Sequence, residues 1–148
     1  MTKLQEKKEV NRLTLLLTVT YMISYITRTN FGAIISEVET ATQISKSLLS
    51  VAITGSFITY GVGQIISGIC GDRFSPKKLV SFGFIITTIM NVLIPVCSSP
   101  YQMLVLWCIN GFAQSLMWPP IVRIMTALLS EDDYKKSMVK VSWGSSVG

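Results

Sequence analysis

Residues 48–70 carry no charged side chain and no proline. A helix of that length is ~35 Å long, enough to cross a hydrocarbon layer about 30 Å thick. A soluble core helix needs only one apolar stripe, whereas a span that is apolar all round needs an apolar solvent. Residues 79–96 form a second uncharged run, rather short for a span. Two further stretches complete a set of four: residues 12–36, and residues 101–129, which are long and broken by Pro119 and Pro120. A fifth apolar stretch begins at about residue 139. Composition fits this reading, because 14% of residues are charged against about 25% in a typical soluble domain. The expectation is an all-α transmembrane bundle with four helices and the start of a fifth. Residues 1–11 would be a tail and residues 12–148 part of a larger helical body. The Lys3–Arg12 cations ahead of an apolar run also suggest a signal peptide, but no convincing small-residue cleavage site follows, so an uncleaved first span is expected.

Links 37–47, 71–78 and 97–100 are short, so neighbouring spans run antiparallel. Lysine and arginine set the orientation. Ten of the thirteen fall in residues 1–12, 73–78 and 135–140; Lys46 alone lies on the other side, and Arg28 and Arg123 lie within spans. A multi-pass protein of the cell membrane with a cytoplasmic N-terminus is expected. The net charge of +5 is thereby read as a topology signal rather than a nucleic-acid footprint. There is no histidine, and Cys70, Cys97 and Cys108 show no C-x-x-C spacing, so no metal site, disulfide framework or cofactor is indicated. No nucleophile or acid–base constellation suggests an enzyme.

Arg28 is the most informative residue. It lies roughly 6 Å past the centre of the first span. A central arginine costs roughly 3 kcal/mol to insert, and the spans offer no Asp or Glu to neutralise it. An anionic ligand would supply that charge through the planar guanidinium fork. A structural arginine bonded to helix carbonyls, or to an acid elsewhere in the protein, is the other reading. Thr14, Thr18, Tyr21, Tyr25, Arg28 and Gly32 recur at steps of four and three, so one helix face is polar or small. Tyr60, Gln64 and Ser67 share a face of the second span, and Trp107, Asn110, Gln114 and Trp118 a face of the fourth. Three polar stripes at mid-membrane suggest a water-filled cavity; polar glue between helices is the alternative. Tyr21, Tyr25, Tyr60, Gln64, Asn110, Gln114 and Trp118 therefore join Arg28 as candidate ligand-binding residues. Gly55, Gly61, Gly63 and Gly68 read as packing positions.

The run Gly68-Ile-Cys-Gly-Asp72-Arg73-Phe-Ser-Pro-Lys77-Lys78 resembles the signature loop between helices two and three of the major facilitator superfamily, matched at Gly68, Asp72, Arg73 and Lys77. Asp72 can cap or neutralise a helix start there. Arg123, near the same membrane face, can pair with Asp72 or snorkel. Tyr25-Ile-Thr-Arg28-Thr-Asn30-Phe31 resembles the first helix of the organophosphate:phosphate antiporter family. The stretch from Asn110-Gly111 through Gln114 and Trp118-Pro119-Pro120 to Arg123 resembles that family's fourth helix. The resemblance covers residues 15–148. It implies a fold of about twelve helices in two related halves, rocker-switch exchange, and Arg28 as one of two phosphate-binding arginines, the second in the C-terminal half. It also shows departures: Gln64 and Thr29 stand where sugar-phosphate members often carry basic residues, and Ser115 and Met117 where glycines are usual. Lower cavity charge leaves room for a carboxylate or a singly charged phosphodiester. The implied partners are a small anionic solute, the lipid bilayer and the C-terminal half. A membrane sensor on the transporter fold is the second function considered. A four-helix oligomeric exporter is the third, disfavoured because it would depend on an intramembrane acid.

Overall fold

The computed structural model describes residues 3–147, except the side chains of Cys70, Asp72 and Val147. All its regular elements are helices: α1 (Lys7–Ala33), α2 (Ile35–Thr42), α3 (Lys46–Arg73), α4 (Pro76–Leu93), α5 (Pro100–Ser115), α6 (Trp118–Leu128) and α7 (Glu131–Val147), with a 3₁₀ turn at Ile94–Val96 after α4.

Two stretches, Lys46–Ile69 and Pro76–Val96, are long and apolar enough by themselves to cross a membrane. Only 22% and 17% of their apolar windows are buried, whereas the core helix of a soluble protein would be mostly buried. Large apolar side chains instead point outward, among them Leu15 on α1, Ile65 on α3, Val92 on α4 and Val105 on α5. These faces need lipid or another helix to cover them.

The structure refines the expected boundaries. The helix that carries the expected first span, α1, already begins at Lys7. It bends at Ile34 and continues as α2, so the link expected at 37–47 is largely helical. Gln43, at φ 57°, adopts the left-handed conformation that closes α2, and its N–H donates to Glu39 O at 2.9 Å. The fourth span is two helices. Leu116 and Met117 form a turn between α5 and α6, and Pro119 and Pro120 sit in the first turn of α6. A proline costs nothing there, because the N–H groups of a helix's first turn have no intrahelical acceptor. The expected fifth apolar stretch lies within α7, which begins at Glu131. Ser130 starts it: its Oγ accepts from Asp133 N at 3.3 Å and donates to Asp133 Oδ2 at 2.7 Å. Glu131, Asp132 and Asp133 add negative charge at the positive end of the helix dipole.

α3 and α5 pack closest. A Cβ on Gly55 would lie 2.8 Å from Cys108 and Leu104, one on Gly63 would strike Ser115, and one on Gly111 would strike the Ser56 carbonyl. Gly61 and Gly68, read as packing positions too, have nothing within 4 Å of such a Cβ among the described residues. α1 lies on α7, where Thr14 Oγ1 and Ser137 Oγ are 2.7 Å apart.

The apolar core is split in two. Phe31, Ile35, Leu49, Ala52, Ile94, Met103 and Trp107 form one cluster. Val10, Leu17, Ile121, Met125, Leu129 and Val141 form the other. Along α1 the clusters are separated by residues 18–30, and this interval holds the polar side chains.

Candidate functional site

On α1, Leu17, Ser24 and Phe31 turn into the bundle while Leu15, Leu16, Val19, Ile23 and Ile26 are exposed. Tyr21, Tyr25 and Arg28 lie at the edge between these faces and are half-buried. The Arg28 guanidinium carbon lies 4.5 Å from the Tyr25 ring centre and 4.6 Å from that of Tyr60 on α3. Tyr21 continues the row. Its ring centre is 6.4 Å from Tyr25 and 4.7 Å from Trp118, at the start of α6. Arg28 also acts electrostatically on the Tyr21 hydroxyl.

This arrangement changes the accounting for Arg28. A cation–π contact contributes about 0.5–2 kcal/mol, toward the upper end when desolvated. Two such contacts offset much of the roughly 3 kcal/mol insertion cost. The aromatic rings therefore carry part of the compensation that the sequence argument assigned wholly to a ligand anion. They also occupy ring-face contacts of the guanidinium, and hydrogen bonding to an anion uses its in-plane N–H edges. No carboxylate among the described residues bonds Arg28.

Gln64 follows Tyr60 by one helical turn. Its Nε2 is buried and has no acceptor among the described residues. A buried unpaired donor costs about 1–3 kcal/mol, so Gln64 is set up to meet a further group.

Asn110 and Gln114 stand apart from the aromatic row, 0% and 2% exposed. Ser24 Oγ donates to Gln114 Oε1 at 2.6 Å, and Gln114 Nε2 donates to Thr27 Oγ1 at 2.9 Å. Asn110 Nδ2 approaches Thr27 O at 3.5 Å. From α4, Asn91 Nδ2 donates to the same carbonyl at 3.1 Å, and Asn91 Oδ1 accepts from Asn30 Nδ2 at 2.5 Å. This network joins α1, α4 and α5 directly behind Arg28. Trp107, on the same predicted stripe, is core and packs on Phe31 with ring centres 4.9 Å apart. The structure thus brings Arg28, Tyr25, Tyr60, Tyr21 and Trp118 together and gives Asn110 and Gln114 bonds within the bundle. Sequence reasoning missed Ser24, Thr27 and Asn91. Asn91 had a readable signal as the lone amide in the uncharged third span.

At the other end, Arg123 Nη1 comes within 3.6 Å of where a Cβ on Gly71 would stand, so Arg123 reaches the end of α3. Asp72, the partner expected for it, has its side chain outside the described residues. Arg73, the last residue of α3, and Lys77, in the first turn of α4, are exposed.

A family model described as Major Facilitator Superfamily matches residues 17–148. The chain is 34% identical over 113 residues to "Membrane sensor protein UhpC" of Escherichia coli (strain K12), covering 76% of this chain and 26% of that protein. It is 29% identical over 113 residues to "Probable hexose phosphate transport protein" of Chlamydia trachomatis, covering 76% and 25%. It is 31% identical over 105 residues to "Glycerol-3-phosphate transporter" of Bacillus subtilis (strain 168), covering 68% and 23%. The chain spans about a quarter of the length of these relatives. Their names denote transport and sensor proteins, not enzymes, and agree with the organophosphate family read from residues 25–31 and 110–123. No solved structure matches the chain.

Proposed function

The chain belongs to the major facilitator superfamily, and from that premise we propose that it forms part of a secondary transporter for a small anionic, phosphate-bearing solute. The observation that carries the reading is Arg28: a mid-span guanidinium between Tyr25 and Tyr60, with no carboxylate partner among the described residues. Its in-plane N–H groups offer the fork that two phosphate oxygens accept. Gln64, whose buried Nε2 has no acceptor among the described residues, is the second donor on a facing helix. Tyr21 and Trp118 supply aromatic surface for the uncharged part of the solute.

The resemblance supports exchange against inorganic phosphate by alternating access, with the companion half of the fold providing a second cation. In this reading Asn110 and Gln114 hold α1 against α5 and set the depth of Arg28 rather than touch solute. Residues 1–11, 71–78 and 130–138 face the cytoplasm and residues 37–47 and 97–100 face outward, following the lysine and arginine asymmetry.

A second reading is favoured by the relative named as a membrane sensor: the same site binds the solute and signals without carrying it. Gln64 and Thr29, in place of basic residues, keep an organic carboxylate among the ligands to try.

Counterflow in vesicles containing the complete protein tests these readings with a panel of sugar phosphates, glycerol phosphate and carboxylates. Arg28→Ala is expected to abolish uptake while the protein remains folded, because no partner charge is left unpaired. Normal rate and affinity in Arg28→Ala would make the arginine structural and sink the site. Saturable binding without flux in the unaltered protein would favour the sensor.

A further inference from the structure

A groove of about 470 Å³ that Arg28 does not line runs between α3, α4 and α5. Ile66, Phe74, Phe82 and Phe112 line it, and Lys78 is the one charged residue in its wall among the described residues. Phe74 and Phe82 are more than half exposed, an expensive state in water for two aromatic rings. Lys78 lies in the first turn of α4, and Phe82 follows it by one turn, roughly 6 Å deeper along the helix. The groove is therefore apolar at depth and cationic at the membrane boundary. Arg73 and Lys77 flank that end. No acid among the described residues lines the groove; the side chain of Asp72, the nearest acid in sequence, is outside them.

We propose that this groove takes one acyl chain of an anionic glycerophospholipid, with the lipid's phosphodiester on Lys78. An apolar channel ending in a cation fits an amphiphile whose own charge sits at the boundary. The channel opens on α3 and α4, whose apolar windows are only 22% and 17% buried. Basic residues beside a span attract anionic lipid electrostatically. A zwitterionic lipid offers Lys78 less, because its headgroup carries its own cation. The inference does not depend on the transported solute.

The test is native mass spectrometry of the complete protein in mixed micelles of phosphatidylglycerol and phosphatidylcholine with matched chains. The unaltered protein is expected to retain phosphatidylglycerol preferentially. Lys78→Gln should lower that preference roughly fivefold, the worth of one lysine near an anionic surface, and Lys78→Arg should keep it. Lys135→Gln, removing an exposed cation on α7, should leave it unchanged. An unchanged preference in Lys78→Gln overturns the proposal, as does an equal loss in Lys135→Gln. Displacement of the lipid by millimolar soluble glycerol phosphate would assign Lys78 to a free anion instead. A photoreactive p-benzoylphenylalanine replacing Phe82 should crosslink to lipid in membranes; capture of another segment of the protein there would also overturn the assignment.

Discussion

Arg28 and its two tyrosines separate charge from geometry. Arg28→Lys keeps the charge and loses the planar fork. Charge-assisted hydrogen bonds contribute about 1.5–3 kcal/mol each, so solute affinity should fall roughly 10- to 100-fold, read as the concentration dependence of counterflow. Tyr60→Phe retains the ring against Arg28 and should change affinity little. Tyr60→Leu removes the cation–π contact and should weaken binding by about 0.5–2 kcal/mol. If Tyr60→Phe is as damaging as Tyr60→Leu, the tyrosine acts through its hydroxyl on solute and not through its ring on the arginine. The importance of Arg28 is legible in the sequence, because no other cation lies so near the middle of a span. Its aromatic surroundings are legible only by half: Tyr25 follows from helix periodicity, but contact with Tyr60 depends on how α3 crosses α1.

At the scale of elements, the break in the fourth span links sequence most directly to packing. Pro119 and Pro120 mark it, but they do not kink a continuous helix; they open a new one. The turn before them leaves Ala113 O facing α4, where a Cβ on Gly83 would lie 2.8 Å from it. Gly83→Ala must therefore push α4 away from the break. Gly111→Ala must do the same between α5 and the Ser56 carbonyl. Each should destabilise by about 1–3 kcal/mol, seen as a lower midpoint in a detergent thermal-unfolding assay. Gly61→Ala meets nothing within 4 Å among the described residues and removes an unfavourable helix residue, so its midpoint should not fall. A matching drop in Gly61→Ala would show that another helix covers this face. Glycine content alone cannot make these distinctions, since it says that helices approach but not at which residues. The third span illustrates the same gap: Asn91 is visible as a polar residue in an apolar run, yet its bond to Thr27 O needs the register of α4 against α1.

Taken whole, the molecule holds two apolar clusters with a polar layer between them. Such a plan leaves the middle of the bundle able to face water or solute while both ends stay packed. The charge asymmetry on which the proposed orientation rests is entirely a property of the sequence, because lysine and arginine counts need no coordinates. Cys97 offers a native probe of that orientation. It follows the 3₁₀ turn after α4, on the side opposite Lys77, and is partly buried, with Sγ 3.6 Å from Leu93 O. Burial pushes its thiol pKa above the ordinary value, so little thiolate is present at neutral pH. The thiolate is the species that reacts with maleimides. With Cys70 and Cys108 replaced by alanine, an impermeant maleimide should therefore label Cys97 in intact cells slowly at neutral pH. Labelling should quicken as pH rises and still be climbing above pH 9, since the pKa is raised. Lys77→Cys, in a background lacking the native cysteines, should react only after permeabilisation. This pH ramp separates a slow thiol from an inaccessible one. A Cys97 that stays silent at high pH until the cells are opened, together with a Lys77→Cys that reacts in intact cells, would invert the topology.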